Sequence, residues 1–212
     1  GILNRSGDEF VSVSRDTRTV IEKALLYGKL TDGKFDITLC PVSELWNFED
    51  QIVPDRNEIA EALKNVDYGS IEIKGDSVCL HGKKIDLGGI AKGYISDRIA
   101  DYLKNNGASE GVVNLGGDLR VFGEKVRDVR IRSPQNEGYA ATLSVKNRAV
   151  VTSGTYERRF EQNGVNYHHI LDPETGFGVE TDLASATVIC GEAADGDALS
   201  TCCILLGREK AA

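Results

Sequence analysis

The sequence predicts an α+β fold in which helices cover a largely antiparallel sheet. Three observations carry that reading. Apolar residues at helical spacing occur in only a few segments, while alternating apolar residues fill the middle and end of the chain. Several extended runs are joined by tight glycine or Asn-Gly turns, the short connections that link antiparallel neighbours. No shift of composition marks a linker, so any two subdomains are expected to share a core or a cleft.

In chain order, "DTRTVIEKALLYGKLT" at 16–31 puts Val20, Ile21, Ala24, Leu25 and Tyr27 on a helical stripe. "TDGKFDIT" turns and goes extended, and "CPVSELWNF" reads as a loop or short turn around Pro41 and Trp46. "DRNEIAEALKNV" at 55–66 is a second helix with Ile59, Leu63 and Val66 on one face. "YGSIEIKGDSVCLHG" alternates as a hairpin about a "KGDS" turn, and His81, in "LHGKK", reads as a hairpin-tip residue. "GIAKGYISDRIADYLKNNG" is the clearest helix: Ile95, Ile99, Tyr102 and Leu103 form its apolar stripe, and Gly107 suits its C-terminal end. "GVVNLGGDLRVFG" is strand, glycine turn, strand; "VRIRS" and "YAATLSVKNRAVVTSG" add further strands. "RRFEQNGVNYHH" is a hairpin about Asn163-Gly164, "ASATVICG" a strand, and "DALSTCCILLG" the start of a last helix.

The bulk numbers bound the function. The chain has 212 residues, 41% hydrophobic and 27% charged, enough to bury a sizeable core. A net charge of -8 argues against nucleic acid or an anionic membrane surface as the main partner. It does not forbid a phosphate ligand, which a local cluster of N–H groups, lysine and metal can hold. No apolar run reaches the roughly 20 residues of a membrane span. "GILNRSGDEF" shows no signal-peptide pattern, and with no methionine anywhere the chain reads as processed or trimmed. Five cysteines without a CxxC pair argue against a disulfide framework or a zinc site.

Glycine makes up 23 residues, about 11% against a usual share of roughly 7%. It clusters in "DLGGIAKG", "NLGGDLRVFG", "SGTYE" and "PETGFG", where bare backbone can approach a ligand. "DLGGIAKG" sets a glycine turn before a helix with Lys92 in its first turn, either a phosphate cradle or a plain strand-to-helix turn. In "DGDALSTCCILLG", Asp197 and Thr201 stand one helical turn apart. They are hard oxygen donors suited to Mg²⁺ or Ca²⁺, or else a helix cap and a hydroxyl bonded back to its own turn. His168 and His169 face opposite ways in a strand; His168 reads as a packing residue and His169 as a possible proton acceptor. Asp36, set between apolar neighbours, braces a loop or touches a ligand. Ser153, Thr155, Glu157, Arg158 and Arg159 line a ligand or pair among themselves at an edge.

Taken together and in order, "TDGKFDITLCPVSELWNF", "IDLGGIAKGY", "VVNLGGDLRVFG", "TSGTYERRF…YHHILDPETG" and "DGDALSTCCILLG" resemble the ApbE family, the FAD:protein FMN transferases, over roughly residues 20 to 207. The resemblance implies an ApbE-like, T-fold-related architecture of two intimately associated lobes, with FAD in the cleft. It implies a Mg²⁺-dependent reaction. A threonine or serine hydroxyl of an acceptor protein attacks the FMN-side phosphorus of FAD, giving phosphoester-linked FMN and releasing AMP. Implied acceptors are flavoprotein subunits of membrane-bound redox complexes, with no nucleic-acid partner.

The resemblance also carries roles to residues. Asp197 and Thr201 fall on the family's metal positions, with Gly89 supplying a carbonyl oxygen. Asp86, Lys92 and Leu171 fall on FAD contacts, Lys34, Phe35 and Asp36 match the segment whose backbone lines the flavin site, and His169 is the candidate for proton removal or substrate orientation. Ser153, Gly154 and Glu157 are candidate pocket residues. Family members are commonly exported and lipid-anchored on the outer face of the bacterial cytoplasmic membrane. The expectation is one flavin-transferase domain over 1–212, short of a leader upstream and of further sheet downstream. Two other readings stand beside it: a protein that binds FAD or hydrolyses it to FMN and AMP, and a non-catalytic phosphate-binding module.

Overall fold

A computed structural model describes residues 1–135 and 137–211. The chain divides into two compact units, Gly1–Leu87 with Glu157–Thr181, and Gly88–Tyr156 with Asp182–Ala212. Among the described residues every strand pairing is antiparallel, and helices pack beside the sheets, so the chain is α+β.

The first unit opens its ordered core with α1 (Arg15–Leu30), capped by the Ser14 hydroxyl, which accepts the Thr17 N–H at 3.1 Å. Val20, Ile21, Ala24 and Tyr27 are its buried stripe. The segment expected to be extended is instead a 3-10 turn at Ile37–Leu39 running into the short α2 (Cys40–Ser43). Two local devices make it helical: the Asp36 carboxylate accepts the Thr38 N–H at 2.7 Å, and Pro41 sits where a helix start has no N–H to lose. The α3 helix (Arg56–Leu63) begins with a capping box between Asp55 and Glu58. Val42, Trp46, Ile59, Phe160 and Leu171 form one buried cluster. Trp46 stacks on Phe48 at 5.5 Å and donates its ring N–H to the Gly176 carbonyl at 3.0 Å.

Three short strands complete this unit's sheet in the order β1 (Val11–Ser12), β3 (Ser77–Cys79), β2 (Glu72–Lys74). The hairpin turns at Gly75-Asp76, within the expected "KGDS" stretch, while His81, expected at a hairpin tip, lies past the exit of β3 in the left-handed region at φ 48°. The Asn-Gly turn is as expected: Asn163 (φ 54°) and Gly164 (φ 77°) join β9 (Arg159–Gln162) to β10 (Val165–His168).

The second unit carries a four-stranded sheet. Its order is β11 (Ser185–Cys190), β8 (Ala149–Gly154), β5 (Asp118–Phe122), β4 (Gly111–Leu115). A ribbon of β6 (Arg127–Arg132) and β7 (Tyr139–Val145) adds Val129 and Val145 to a cluster with Val121 and Val150. Two helices accompany it, α4 (Ala91–Asn105) and α5 (Ala193–Ala211), the latter interrupted at Gly207.

The orientation of α4 overturns the expected face. Ile95, Tyr102 and Leu103 are 49%, 68% and 38% exposed, whereas Gly93, Ser96 and Ala100 are buried. The inward face is the small one, because α4 runs so close to the start of α5 that a Cβ at Gly93 would lie 2.1 Å from the Ala193 carbonyl oxygen.

Candidate functional site

The sequence-predicted residues fall into two groups. Gly89, Lys92, Asp197 and Thr201 belong to the second unit; Lys34, Phe35, Asp36, Asp86, His169 and Leu171 belong to the first.

In the second unit, the turn through Gly88, Gly89 and Ile90 delivers the chain into α4. The residue at the helix's N-cap, Ile90, has no side chain able to take a first-turn N–H. A buried carboxylate from elsewhere does so: Asp197 Oδ2 accepts the Gly93 N–H at 3.0 Å. Asp197 is not the cap of its own helix, as one reading of the sequence had it. It lies one turn inside α5 and is 3% exposed.

Lys92 extends its ammonium to Asp118 Oδ2 in a tight pair and lies 3.8 Å from Asp197 Oδ1. Asp118 is the first residue of β5, directly after the Gly116-Gly117 turn, and is 2% exposed. Burial pushes both carboxyls upward: Asp197 to about 6, against the pull of Lys92 and of the Gly93 N–H, and Asp118 in the same direction against its bond to Lys92.

Thr201 follows on the next turn of α5. Its hydroxyl donates to the Asp197 carbonyl at 3.2 Å, which leaves its oxygen to act as an acceptor. Ser153 of β8 joins the Thr201 and Ser200 hydroxyls at 3.1 and 2.8 Å. The structure thus brings Lys92, Asp197 and Thr201 together and adds Asp118, Ser153 and Ser200.

In the first unit, Asp36 braces a loop. Its Oδ1 accepts the Thr38 N–H and hydroxyl, and its Oδ2 accepts the Tyr68 N–H at 3.1 Å. Lys34 donates to Asp172 at 3.0 Å and pairs with Glu174 at 3.0 Å. Burial works to lower its pKa, but the bonds to Glu174 and Asp172 outweigh burial and raise it. The Asp86 N–H donates to the Ile37 carbonyl at 2.8 Å, setting exposed Asp86 beside the same segment.

The side chains of Phe35 and Leu171 are core, Phe35 edge-on to Tyr27 and Leu171 in the Trp46 cluster. A ligand contact at either would run through the main chain. Histidine 168 packs as expected: its Nε2–H donates to the Val179 carbonyl at 3.2 Å, and burial lowers its pKa. The main-chain N–H of half-buried His169 donates to the Arg158 carbonyl at 3.1 Å.

A family model described as the ApbE family matches residues 2–212. The chain belongs to the ApbE family. It is 37% identical to a Treponema pallidum FAD:protein FMN transferase, covering 97% of this chain and 64% of that one. It is 36% identical to a Klebsiella pneumoniae FAD:protein FMN transferase, covering 99% and 68%. Among solved structures it is similar to the ApbE protein of Thermotoga maritima, with 38% identity, a TM-score of 0.89 and coverage of 97% and 70%. It also resembles the apo flavinyl transferase ApbE of Pseudomonas stutzeri, with 30% identity, a TM-score of 0.85 and coverage of 98% and 68%. The chain spans about two thirds of the length of these relatives.

The ApbE resemblance implies a magnesium ion, and the donor set of the second unit fits one. Asp197 and Thr201 offer hard oxygens one turn apart on α5. Two buried carboxylates, Asp118 and Asp197, share one lysine, leaving an excess of negative charge that a cation would offset. Among the described residues no group of three or more His, Cys, Asp or Glu is arranged as a metal site, so carbonyl, hydroxyl and water oxygens would have to complete the shell. Sequence reasoning passed over Asp118. Its signal was an aspartate opening a strand directly after a Gly-Gly turn, two residues before Arg120.

Proposed function

We propose that this chain carries FAD:protein FMN transferase activity, moving FMN from FAD to a threonine or serine hydroxyl of an acceptor protein. What supports the reading above all is Asp197: a buried carboxylate with Thr201 one turn on, held by the start of a glycine-led helix, in a chain of the ApbE family.

The reading gives each residue a task. Asp197, Thr201 and the Gly89 carbonyl would hold Mg²⁺. When bound, that ion supplies charge neutralisation and orientation of the pyrophosphate oxygens. Lys92, already beside Asp118 and Asp197, carries positive charge toward the same phosphates. Asp86 and the main chain at Lys34, Phe35, Asp36 and Leu171 are assigned to FAD. The acceptor hydroxyl attacks the FMN-side phosphorus, the bond to the AMP oxygen breaks, and AMP leaves. His169 is assigned to take the hydroxyl proton. Acceptors are proposed to be flavoprotein subunits of membrane redox complexes, and the location the bacterial cell envelope.

The test mixes the protein with FAD, Mg²⁺ and a threonine-bearing acceptor domain. Covalent flavin is read by in-gel fluorescence and mass spectrometry, and AMP by chromatography. Labelled acceptor with matching AMP, both abolished by EDTA, is expected. Release of FMN and AMP without labelling would replace the transferase by a hydrolase.

A further inference from the structure

We propose that Asp97, whose carboxylate is hydrogen-bonded to Ala193, Ala194 and Arg120, positions Asp197 and Thr201 by tying the helix that carries them to α4. The proposal rests on the metal reading above. It starts from a reciprocal arrangement. Asp97, in the second turn of α4, accepts the first two N–H groups of α5: Ala193 at 2.9 Å on Oδ1 and Ala194 at 3.0 Å on Oδ2. Asp197, in the second turn of α5, accepts the Gly93 N–H from the first turn of α4 at 3.0 Å. Each helix start is therefore closed by an aspartate of the other helix. The spacing is the same on both sides, four residues from Gly93 to Asp97 and four from Ala193 to Asp197.

A cap supplied from within α5 would satisfy the same N–H groups but leave the helix free to slide against α4. A cap from α4 does both jobs, and a carboxylate is favoured at the positive end of α5's dipole. The crossing has no slack, since Gly93 meets the Ala193 carbonyl where a Cβ would be 2.1 Å away.

The strand β5 locks the pair from the third side. Asp118 and Arg120 are two apart and so project on one face. Asp118 takes the Lys92 ammonium, and the Arg120 guanidinium donates to Asp97 Oδ1 at 3.1 Å. Two links of opposite polarity thus join β5 to α4, and one of them passes through Asp97 to α5. Removing the Asp97 carboxylate would free the α5 start while leaving Arg120 and two N–H groups without their partner. The ligands affected are Asp197 and Thr201, one and two turns downstream.

The experiment measures Mn²⁺ binding to the purified chain by calorimetry, with no flavin present, alongside metal-free thermal melting. Asp97→Ala is expected to weaken Mn²⁺ binding by about 10–100-fold, as loss of residues that orient ligands does. Asp97→Asn, which keeps one oxygen for one N–H, is expected to fall in between, and it carries the comparison if Asp97→Ala does not fold. Val129→Ala serves as the control: buried in the β6 ribbon cluster, it lowers the melting temperature without touching the network. It is expected to bind Mn²⁺ within twofold of wild type. Unchanged affinity in the Asp97 variants would overturn the proposal, and so would an equal loss in Val129→Ala. No Mn²⁺ binding by the wild-type chain would instead defeat the metal reading on which it rests.

Discussion

The Gly93 main-chain N–H donates to Asp197 Oδ2 at 3.0 Å, across 104 positions of sequence. The same glycine has no room for a side chain, because its Cβ would meet the Ala193 oxygen, the Ala193 carbonyl carbon and the Ala194 nitrogen at 2.1, 2.5 and 2.8 Å. All three are backbone atoms, so nothing nearby can rotate away. Gly93→Ala must therefore push α5 and α4 apart. Overpacking costs typically about 1–3 kcal/mol, and a lower urea midpoint is expected. Metal-dependent stabilisation is expected to shrink in the same variant, since the bond to Asp197 breaks with the crossing.

Asp197→Asn separates charge from shape. An amide oxygen can still accept the Gly93 N–H, so the fold is expected to survive, by circular dichroism and by melting. The hard anionic donor is gone. A metal ion contributes several kcal/mol of charge stabilisation to phosphoryl transfer, which is on the order of a thousandfold at about 1.4 kcal/mol per decade. Transfer at millimolar Mg²⁺ is expected to fall by about that factor, and the Mg²⁺-induced rise in melting temperature to vanish. Wild-type turnover in this variant would remove Asp197 from the metal assignment.

How far the sequence speaks for itself depends on how local the signal is. The Asn163-Gly164 turn, the Gly116-Gly117 turn and the Gly107 helix end are each written in adjacent residues, and each is found with positive φ. The face of α4 is not written that way. Periodicity marks Ile95, Ile99, Tyr102 and Leu103 as one stripe, but which stripe turns inward is decided by how closely α5 approaches, and that favours Gly93, Ser96 and Ala100. The site shows the same division. The stacking of Asp197 and Thr201 on successive turns of one helix follows from their four-residue spacing, whereas the metal role proposed for them rests on the ApbE resemblance. Asp118 was not legible, because its partner Lys92 lies 26 residues away, and Asp97 was not, because its partners in α5 lie 96 and 97 residues away and Arg120 lies 23 away. The 3-10 turn at Ile37–Leu39 was missed because Asp36 was weighed as a ligand or brace and not as a cap.

The two adjacent histidines are expected to differ in kind. For His169→Ala, transfer slows by about 100-fold or more, the usual worth of a positioned acid–base group, while FAD binding persists. For His168→Phe, the effect is on stability and depends on pH. Burial lowers the folded-state pKa of His168 below its ordinary 6.5, against its bond to Val179. The neutral ring is thus favoured by folding. Its contribution is complete above about pH 6.5 and is lost as pH falls from there toward the folded-state pKa. Between pH 7.5 and pH 5 the wild type should lose more unfolding free energy than His168→Phe does. Equal losses in denaturant titrations would show that His168 does not titrate with folding.

Asp36 poses the sharpest choice between bracing and binding. Its two oxygens together accept the Thr38 N–H, the Thr38 hydroxyl and the Tyr68 N–H, and Thr38 in turn accepts the Asp67 N–H at 2.8 Å. This closes the loop at 34–38 onto the segment at 67–68. Asp36→Asn offers only one oxygen, and its amide N–H₂ must then face either the Thr38 or the Tyr68 N–H, donor against donor. One buried N–H loses its acceptor, which costs about 1–3 kcal/mol. The urea midpoint is expected to fall accordingly. FAD affinity, measured by fluorescence quenching at a temperature where the variant is fully folded, is expected to drop as well, because Lys34 and the Phe35 main chain belong to the loosened segment. Weaker FAD binding at an unchanged midpoint would mean that the carboxylate meets the ligand directly and that the loop holds its shape without it.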